Sequence, residues 1–345
     1  MKTIHINASK SYDVLIGSNL IENIGELLCS AFKKECKVAI ISDSNVFPIY
    51  GATVSESLAK CGFKVVSYTF PAGESSKTAA TYLDILNFLA QNHLTRADAI
   101  LALGGGVTGD IAGFAAATFL RGIPYIQVPT SLLAMVDSSV GGKTAIDLSA
   151  GKNLVGAFYQ PILVVCDLNT LNTLPEPVFS DGCAEIIKYS VLFDETLFAH
   201  LESRGLDFDR EAVISRCVEL KRNIVAEDEF DHGARQKLNL GHTIGHGVEA
   251  QSNFSITHGQ AVAIGMAIIS KSRCITLYDR LVSVLHNFKL PTSTDFTAHQ
   301  LFTSALSDKK RSGGIVNLIV PENIGKCNII PTPVEELESL IEEGL

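Results

Sequence analysis

Short apolar runs alternate with segments of helical period through the first half of the chain, and this alternation constrains the fold most strongly. The runs predicted as strands are residues 37–41, 64–70, 99–103, 125–128 and 162–166. Residues 78–92, between the second and third runs, have helical periodicity. Strands that alternate with helices indicate a parallel sheet covered by helices on both faces.

Both ends of this alternating region are marked by a change of pattern. Residues 1–17 predict a hairpin, because apolar residues alternate on either side of a polar Ser-Lys-Ser turn. After residue 174 helical periods dominate, at 180–193, 210–228, 241–251 and 260–277, and a late hairpin is predicted at 315–320 and 326–330. The predicted fold class is an α/β domain, 1–174, with a Rossmann-like parallel sheet, followed by a mainly α-helical domain, 175–345.

Composition excludes several classes of protein. The net charge is −9, with 28 basic and 37 acidic residues, so general nucleic-acid binding is not expected. The apolar stretch 99–120 contains Asp110 and five glycines, which argues against a membrane span. None of the eight cysteines forms a C-x-x-C pair and no secretory segment is recognisable. We therefore expect a soluble cytoplasmic protein with buried free thiols.

The segment 137–153 combines residue types that bind anions. Asp137, Lys143, Lys152 and Asn153 occur within seventeen residues, together with several hydroxyl side chains and three glycines. Glycines let a backbone approach a ligand closely, and lysines supply positive charge. The segment predicts a loop that holds a phosphorylated small molecule.

A glycine-rich turn follows the predicted strand 99–103. Gly104, Gly106 and Gly109 fit G-x-G-x-x-G and lead into an apolar helix at 110–119, an arrangement that binds phosphate at a helix N-terminus. Tight strand–helix packing is the alternative explanation. No acidic residue lies ~20 positions downstream as in the Rossmann fingerprint. Asp43, with Asn45 after it, is the acidic candidate, although Asp43 also suits a turn or helix cap. A dinucleotide bound across several strand ends is predicted.

Three histidines and a glutamate suggest a metal site. His242 and His246 are four residues apart on one helix face, His258 begins the next apolar helix, and Glu185 is surrounded by apolar residues. Two histidines and a carboxylate with an open position describe a catalytic zinc site. Spacing alone favours His242 and His246 with Glu185 or His258 as the third ligand. The alternative is ordinary helix histidines bonded to backbone or water.

Taken together, the motifs resemble the 3-dehydroquinate synthase family of the sugar phosphate cyclase superfamily. The resemblance extends from about residue 40 to 320. The matching blocks are residues 71–77, 102–110, 127–134, 136–144, 151–153, 156–161, 184–189, 240–243 and 308–310.

The resemblance implies an NAD-dependent and metal-dependent lyase of the shikimate pathway. The family converts 3-deoxy-D-arabino-heptulosonate 7-phosphate to 3-dehydroquinate and phosphate. Bound NAD takes a hydride and later returns it, so it is not consumed. A homodimer is also implied.

Site residues are carried over from the family position by position. The implied ligands of the metal, zinc or cobalt, are Glu185, His242 and His258. His246 is then implied to line the substrate pocket instead. The implied substrate contacts are Arg121, Asp137, Lys143, Lys152, Asn153, Lys188, Lys221, Arg235, Asn239, His246 and either Lys309 or Lys310. The implied NAD contacts are Asp43, Asn45, Gly73, Glu74, Lys77, Gly105, Gly106, Val107, Thr108, Gly109, Asp110, Thr130, Ser131, Lys143, Lys152, Thr170 and Thr173.

Three positions depart from the family pattern. Ser131 stands where a threonine is expected, Gln260 where glutamate is frequent, and Asp147 where asparagine is frequent. Gln260 follows a metal ligand closely, so it is expected to alter charge around the metal.

Three other functions compete with this interpretation. They are another sugar phosphate cyclase such as 2-deoxy-scyllo-inosose synthase, a metal-dependent polyol dehydrogenase, and a non-catalytic NAD- or metabolite-binding protein.

Overall fold

The computed structural model describes residues 1–29, 31–32, 36–309 and 314–345, which divide into two compact units. The first unit comprises Met1–Leu174 and Ile214–Glu229, and the second comprises Pro175–Val213 and Phe230–Leu345. The described strands are β1 Lys2–Ile6, β2 Tyr12–Gly17, β3 Lys37–Asp43, β4 Lys64–Phe70, β5 Ala99–Gly104, β6 Tyr125–Pro129, β7 Lys143–Leu148, β8 Gly151–Phe158, β9 Leu163–Asp167, β10 Ile315–Asn323 and β11 Lys326–Pro333.

The α-helices of the described residues are numbered in the same way. They are α1 Ile24–Cys29, α2 Phe47–Lys60, α3 Ala79–Gln91, α4 Gly106–Thr118, α5 Glu176–Phe193, α6 Glu195–Arg204, α7 Arg210–Glu227, α8 His242–Gln251, α9 His258–Arg273, α10 Ile275–Asn287, α11 Ala298–Lys309 and α12 Val334–Gly344.

A seven-stranded sheet organises the first unit, in the order β1-β2-β9-β6-β5-β3-β4. All neighbouring strands are parallel except β1 and β2, which form the predicted hairpin. Consecutive residues of β3 point to opposite faces: Ile40 packs into one buried apolar cluster and Ile41 into another. Both faces of the sheet are therefore covered, and the predicted fold class is confirmed.

The segment predicted as an anion-binding loop is mainly a β-hairpin. Strands β7 and β8 pair antiparallel as a separate two-stranded sheet, and only Ala134–Ser138, a π-helical turn, precedes them. A Cβ atom on Gly113 of α4 would lie 2.6 Å from the Thr144 methyl carbon of β7. Only a glycine leaves room for the hairpin there. The loop prediction was wrong because the glycines of 137–153 concealed the strand pattern.

The second unit is mainly helical and contains the predicted late hairpin, β10 with β11. The helix predicted at 260–277 is two helices, since Cys274 takes a non-helical conformation (φ −149°, ψ 67°) between α9 and α10. The apolar pattern continues through this break, so periodicity does not reveal it. All eight cysteines lie in the described part of the chain and are thiols rather than disulfides. Five are buried, but Cys29 is exposed, so the expectation of buried thiols does not hold for every cysteine. None of the described helices has both the length and the apolarity to cross a bilayer.

Candidate active site

Glu185, His242 and His258 of the second unit converge on one point. Glu185 of α5 is fully buried, and its Oε1 atom lies 3.6 Å from Nε2 of His242 and 3.4 Å from Nε2 of His258. Ligand atoms of all three residues lie within 4.8 Å of one another. Ligands at ~2.1 Å from a tetrahedral zinc ion lie ~3.4 Å apart. The spacing of the three side chains therefore fits a zinc-sized cation.

The two histidines differ in protonation. Nδ1 of His242 donates a hydrogen bond to the Leu240 carbonyl at 3.0 Å, which leaves Nε2 as a lone-pair donor facing Glu185. Burial, together with the Lys188 charge, lowers the pKa of His242 to about 3. Burial opposes protonation of His258 too, but hydrogen bonds to Glu185 and Glu249 raise its pKa to about 10. A positive charge is therefore stabilised at this point, as a metal site requires.

Lys188 follows Glu185 by one helical turn on α5 and balances its charge. Its side chain is buried, and Nζ forms an ion pair with Oε2 of Glu185. The two carboxylate oxygens thus face different partners, because Oε1 faces the histidines. A cation in contact with a buried carboxylate favours its charged form, which is the form that binds a metal.

Glycines let the ligand-bearing helices approach one another. A Cβ on Gly265 of α9 would lie 2.0 Å from the Gly241 carbonyl oxygen, and one on Gly259 would lie 2.0 Å from the Asp181 carbonyl oxygen. Gly241, just before His242, also has a left-handed backbone (φ +76°). Side chains at these positions would push α8 and α9 away from each other and α9 away from α5, and so separate the three candidate metal ligands.

A capping box fixes the start of α9, where His258 is the first residue. Thr257 N donates to Gln260 Oε1 at 3.1 Å, and the Thr257 hydroxyl oxygen accepts from the backbone N–H of Gln260, the third residue of the helix. Asp181 of α5 accepts from Gln260 N at 3.1 Å and from the Thr257 hydroxyl. Burial raises the pKa of Asp181, against the hydrogen bond from Thr257. Gln260 thus performs the capping role of a glutamate without a charge beside Asp181.

A second possible ligand set shares His258. Ligand atoms of His246, Glu249 and His258 also lie within 4.8 Å of one another, and the His246 ring centroid is 5.6 Å from that of His242. Sequence reasoning missed Glu249. Its signal was the spacing of His242, His246 and Glu249 at i, i+4 and i+7, which places all three on one face of α8.

Two of the other second-unit residues predicted to bind substrate lie next to α8 in the chain, and a third lies at the end of α11. Arg235 and Asn239 belong to the short 3-10 helix Ala234–Asn239, which precedes α8, and Arg235 is buried. Lys309 closes α11. The Lys309 side chain and Lys310 lie outside the described residues, so the prediction that one of them binds substrate has no structural counterpart.

The predicted NAD residues of the first unit follow the carboxyl ends of parallel strands. Asp43 ends β3, Gly104 ends β5 and Pro129 precedes Thr130 and Ser131; Thr170 and Thr173 follow β9. Parallel strands present these ends at one edge of the sheet. Gly105 is the N-cap of α4 without a side-chain cap, so the first amide groups of the helix suit an anion.

The glycines of the G-x-G-x-x-G turn have different roles. A Cβ on Gly104 would lie 2.4 Å from Thr108 Oγ1, and one on Gly109 would lie 2.6 Å from Gln127 Oε1, so these two glycines are needed for packing. Asp43 accepts from the backbone N–H groups of Asn45 and Val46 at 2.9 and 3.1 Å. These residues therefore have the packing and turn roles given as alternatives, and these roles are compatible with contacts to NAD.

A group of charged residues, here called the Lys77 cluster, comprises Glu74, Lys77, Asp110, Asp147 and Asn153. Lys77 is 3% exposed, and its Nζ atom lies 2.6 Å from Asp110 Oδ2 and 2.5 Å from Asn153 Oδ1. Burial favours the neutral amine of Lys77, but Asp110 and Glu74 raise its pKa. Burial also raises the pKa of Asp110, against the charge of Lys77. Lys77 is thus held as a cation between carboxylates.

Asp147 ties the turn of the β7–β8 hairpin to the Lys77 cluster. Asn153 has a left-handed backbone (φ +57°), and its N–H donates to Asp147 Oδ1 at 2.7 Å. The N–H of Asp147 donates to the Lys77 carbonyl, also at 2.7 Å. The residue that departs from the family pattern at position 147 therefore orients Asn153. A further, partly buried pair joins Lys221 Nζ of α7 to Oδ1 of Asp137 in the π-helical turn, at 2.5 Å.

Two predicted substrate residues lie away from the Lys77 cluster. Lys143 pairs with Phe158 at the open end of the hairpin, whereas Leu148 pairs with Gly151 next to Lys152. About four strand residues, or ~13 Å, separate the two lysines along the hairpin. Arg121 follows the carboxyl end of α4, ~18 Å along that helix from the glycine turn. Lys143 and Arg121 therefore lie apart from Lys152, which is 3.9 Å from Glu74 of the Lys77 cluster.

Comparisons with known proteins agree with this picture. Profiles described as 3-dehydroquinate synthase N-terminal and C-terminal match residues 67–181 and 182–311. The 3-dehydroquinate synthase of Pelobacter propionicus is 43% identical over 99% of both chains. A structure of 2-deoxy-scyllo-inosose synthase complexed with carbaglucose-6-phosphate, NAD+ and Co2+ aligns with a TM-score of 0.90 at 26% identity over 100% of both chains. The NAD+- and Zn2+-bound 2-epi-5-epi-valiolone synthase of Streptomyces hygroscopicus aligns at 0.87, also with 26% identity, over 96% of this chain and 95% of that one.

The chain therefore belongs to the 3-dehydroquinate synthase family. The family is a group of NAD- and metal-dependent lyases, so the family, enzyme class and cofactors predicted from sequence are confirmed.

Proposed function

We propose that this chain closes 3-deoxy-D-arabino-heptulosonate 7-phosphate to 3-dehydroquinate, with release of phosphate, through a cation bound by Glu185, His242 and His258. Its family has this function. The observation that carries the assignment of the ligands is the 3.4–3.6 Å spacing of Glu185 Oε1 from both histidine Nε2 atoms. A neutral His242 and an ionised Glu185 are the protonation states that coordination needs.

The NAD contacts that we propose lie in the first unit, at the carboxyl edge of its sheet. The uncapped N-terminus of α4 at Gly105 and Gly106 supports a pyrophosphate position there. A Cβ on Gly106 would lie 3.1 Å from Ser138 Oγ, so this turn stays narrow. The Lys77 cluster supplies the charged residues of this region. Within it, Lys77 compensates the charge of the Asp110 carboxylate.

When bound, NAD accepts and returns a hydride, and the cation polarises the hydroxyl that loses it. The residues of this chain then bind and orient. Lys188 forms an ion pair with Glu185, and Asp137 is held by Lys221. Lysine and arginine side chains among the proposed contacts balance the carboxylate and phosphate charges of the substrate. The departing phosphate can take up the proton itself, so no protein general base is required.

A direct assay tests the proposed function. The purified protein, loaded with metal and NAD, is supplied with heptulosonate phosphate or with glucose 6-phosphate, and phosphate release and absorbance at 340 nm are followed. We expect phosphate release from the heptulosonate alone, without net growth at 340 nm. Turnover of glucose 6-phosphate alone would assign the chain to another cyclase. Accumulation of NADH would assign it to a polyol dehydrogenase. The homodimer and the cytoplasmic location stay predictions.

A further inference from the structure

His258 lies between two carboxylates and presents a different nitrogen to each. Its Nε2 atom is 3.4 Å from Glu185 Oε1, and its Nδ1 atom is 3.4 Å from Glu249 Oε2. Glu249 belongs to α8 and its side chain is 4% exposed. The two carboxylates reach the ring from α5 and α8, while His258 itself begins α9.

An imidazole that coordinates a cation through one nitrogen usually donates its other N–H group to a carboxylate or carbonyl oxygen. That hydrogen bond fixes the tautomer and the plane of the ring, and it makes the coordinating nitrogen more basic. His242 has such a partner, since its Nδ1 lies 3.0 Å from the Leu240 carbonyl oxygen. His258 has a corresponding partner in Glu249.

We propose that Glu249 is a positioning residue that orients His258 for metal binding by accepting a hydrogen bond from Nδ1, and that Glu249 is not itself a metal ligand. The inference rests on the proposed ligand set of Glu185, His242 and His258. It assigns different roles to the two carboxylates beside His258: Glu185 faces the Nε2 atoms of both histidines, whereas Glu249 faces Nδ1 of one.

The competing arrangement uses His246, Glu249 and His258 as ligands, because their ligand atoms also lie within 4.8 Å of one another. In that arrangement His258 would coordinate through the nitrogen that faces Glu249. The two arrangements make opposite predictions for glutamine substitutions, since a ligand is required for stoichiometric binding and an orienting residue only tunes affinity.

The experiment compares Glu249→Gln, Glu249→Leu and Glu185→Gln with the wild-type protein. Each purified protein is stripped of metal, and binding of Co2+ is measured as stoichiometry, affinity by competition with a chelator, and visible absorption spectrum. Glu249→Gln keeps an acceptor oxygen, so we expect one Co2+ per chain at about tenfold lower affinity. Glu249→Leu removes the acceptor, so we expect about 100-fold lower affinity and a changed spectrum. Glu185→Gln should lose stoichiometric metal.

The outcomes separate this inference from the proposed function. Loss of stoichiometric Co2+ in Glu249→Gln would make Glu249 a ligand and overturn the inference. Unchanged affinity and spectrum in both Glu249 variants would overturn it as well, and the glutamine variant decides alone if the leucine variant does not fold. Full retention of Co2+ by Glu185→Gln would instead overturn the proposed ligand set.

Glu338→Gln is the matched control for the affinity measurement. Glu338 also contacts a histidine Nδ1, that of His299 at 3.0 Å, but this pair is exposed. The control should leave Co2+ affinity and spectrum unchanged. Thermal unfolding of the metal-free proteins is followed in parallel. A fall in affinity in the control equal to that of Glu249→Gln would show a general effect of charge and would contradict the inference.

Discussion

The candidate metal centre of the second unit and the Lys77 cluster of the first unit both bury charged side chains, but with different spacing. Lys77 lies 2.5–2.6 Å from its acceptors, which is direct hydrogen-bonding distance. Glu185 Oε1 instead lies 3.4–3.6 Å from two histidine nitrogens, which is the separation of ligands around one ion. Direct pairs stabilise and position a fold, whereas wider convergent spacing marks a place where a cation binds.

Removing the lysine tests the first half of this comparison and should have the largest effect. Lys77→Met leaves Asp110 buried without its cation, so we expect the free energy of unfolding to fall by about 3 kcal/mol. Unfolding of the NAD-free protein in urea measures the change. The double variant Lys77→Met/Asp110→Asn should recover part of the loss, because neither charge is then left unpaired.

A surface pair in the same unit gives the matched control. Lys2 Nζ lies 2.8 Å from Glu219 Oε1, with the lysine side chain 45% exposed. Lys2→Met should lower the free energy of unfolding by less than about 1 kcal/mol. If Lys77→Met costs no more than Lys2→Met, the Lys77 cluster is not a stabilising element and the contrast with the metal centre loses its basis.

Sequence reasoning succeeded where each element carries its own local pattern. Strand β4 and hairpin β1–β2 have strong β-branched or alternating patterns, and the helix bearing His242 is periodic. It failed for the β7–β8 hairpin, because Gly141, Gly142 and Gly151 interrupt its strand pattern. The packing of the hairpin against Gly113 of α4 is not visible in any local pattern.

The candidate site was predictable to a similar extent. Residue type and context gave His242, His246, Glu185 and His258 as candidates, and only the family resemblance selected Glu185, His242 and His258. Glu249 looks like an ordinary helical glutamate until α9 brings His258 to it. Lys77 contacts Asp110, which is 33 positions away in the sequence, and Asn153, which is 76 positions away. No local sequence pattern encodes such contacts.

The pH dependence of metal binding sharpens the second half of the comparison. Without metal, the pKa of His258 is raised to about 10, so the ring carries a proton at neutral pH and must lose it to coordinate. Metal affinity should therefore fall about tenfold for each unit that the pH decreases below 10, and about one proton should be released per ion at pH 7.5. Titration calorimetry in buffers of different ionisation enthalpy measures this proton.

The sign follows from linkage. A pKa raised above the ordinary value of His means that the proton stabilises the metal-free fold fully below pH ~6.5, and this contribution is lost as pH rises through 10. His242 is already neutral there, since its pKa is lowered to about 3, and it should release no proton. Metal binding without proton release, or affinity that is flat between pH 7 and 9, would contradict the protonated His258.

The smallest expected effect concerns the charge next to the metal centre. Gln260→Glu restores the residue frequent in the family, keeps an acceptor for Thr257 N, and adds a negative charge near Asp181 and His258. Metal affinity should rise by about threefold through attraction of the cation, while the free energy of unfolding falls by less than about 1 kcal/mol from repulsion with Asp181. Chelator competition and urea unfolding measure the two changes.

Gln300→Glu offers a matched control because Gln300 forms the same kind of capping box with Thr297 on α11. Thr297 N donates to Gln300 Oε1 at 2.9 Å, and Gln300 N donates to the Thr297 hydroxyl at 3.3 Å. The control substitution should leave metal affinity unchanged. If both substitutions raise affinity equally, the effect is one of net charge. If Gln260→Glu alone raises it, the capping residue of α9 affects metal affinity. Glutamine at this position then lowers metal affinity but avoids charge repulsion with Asp181 at the start of the helix.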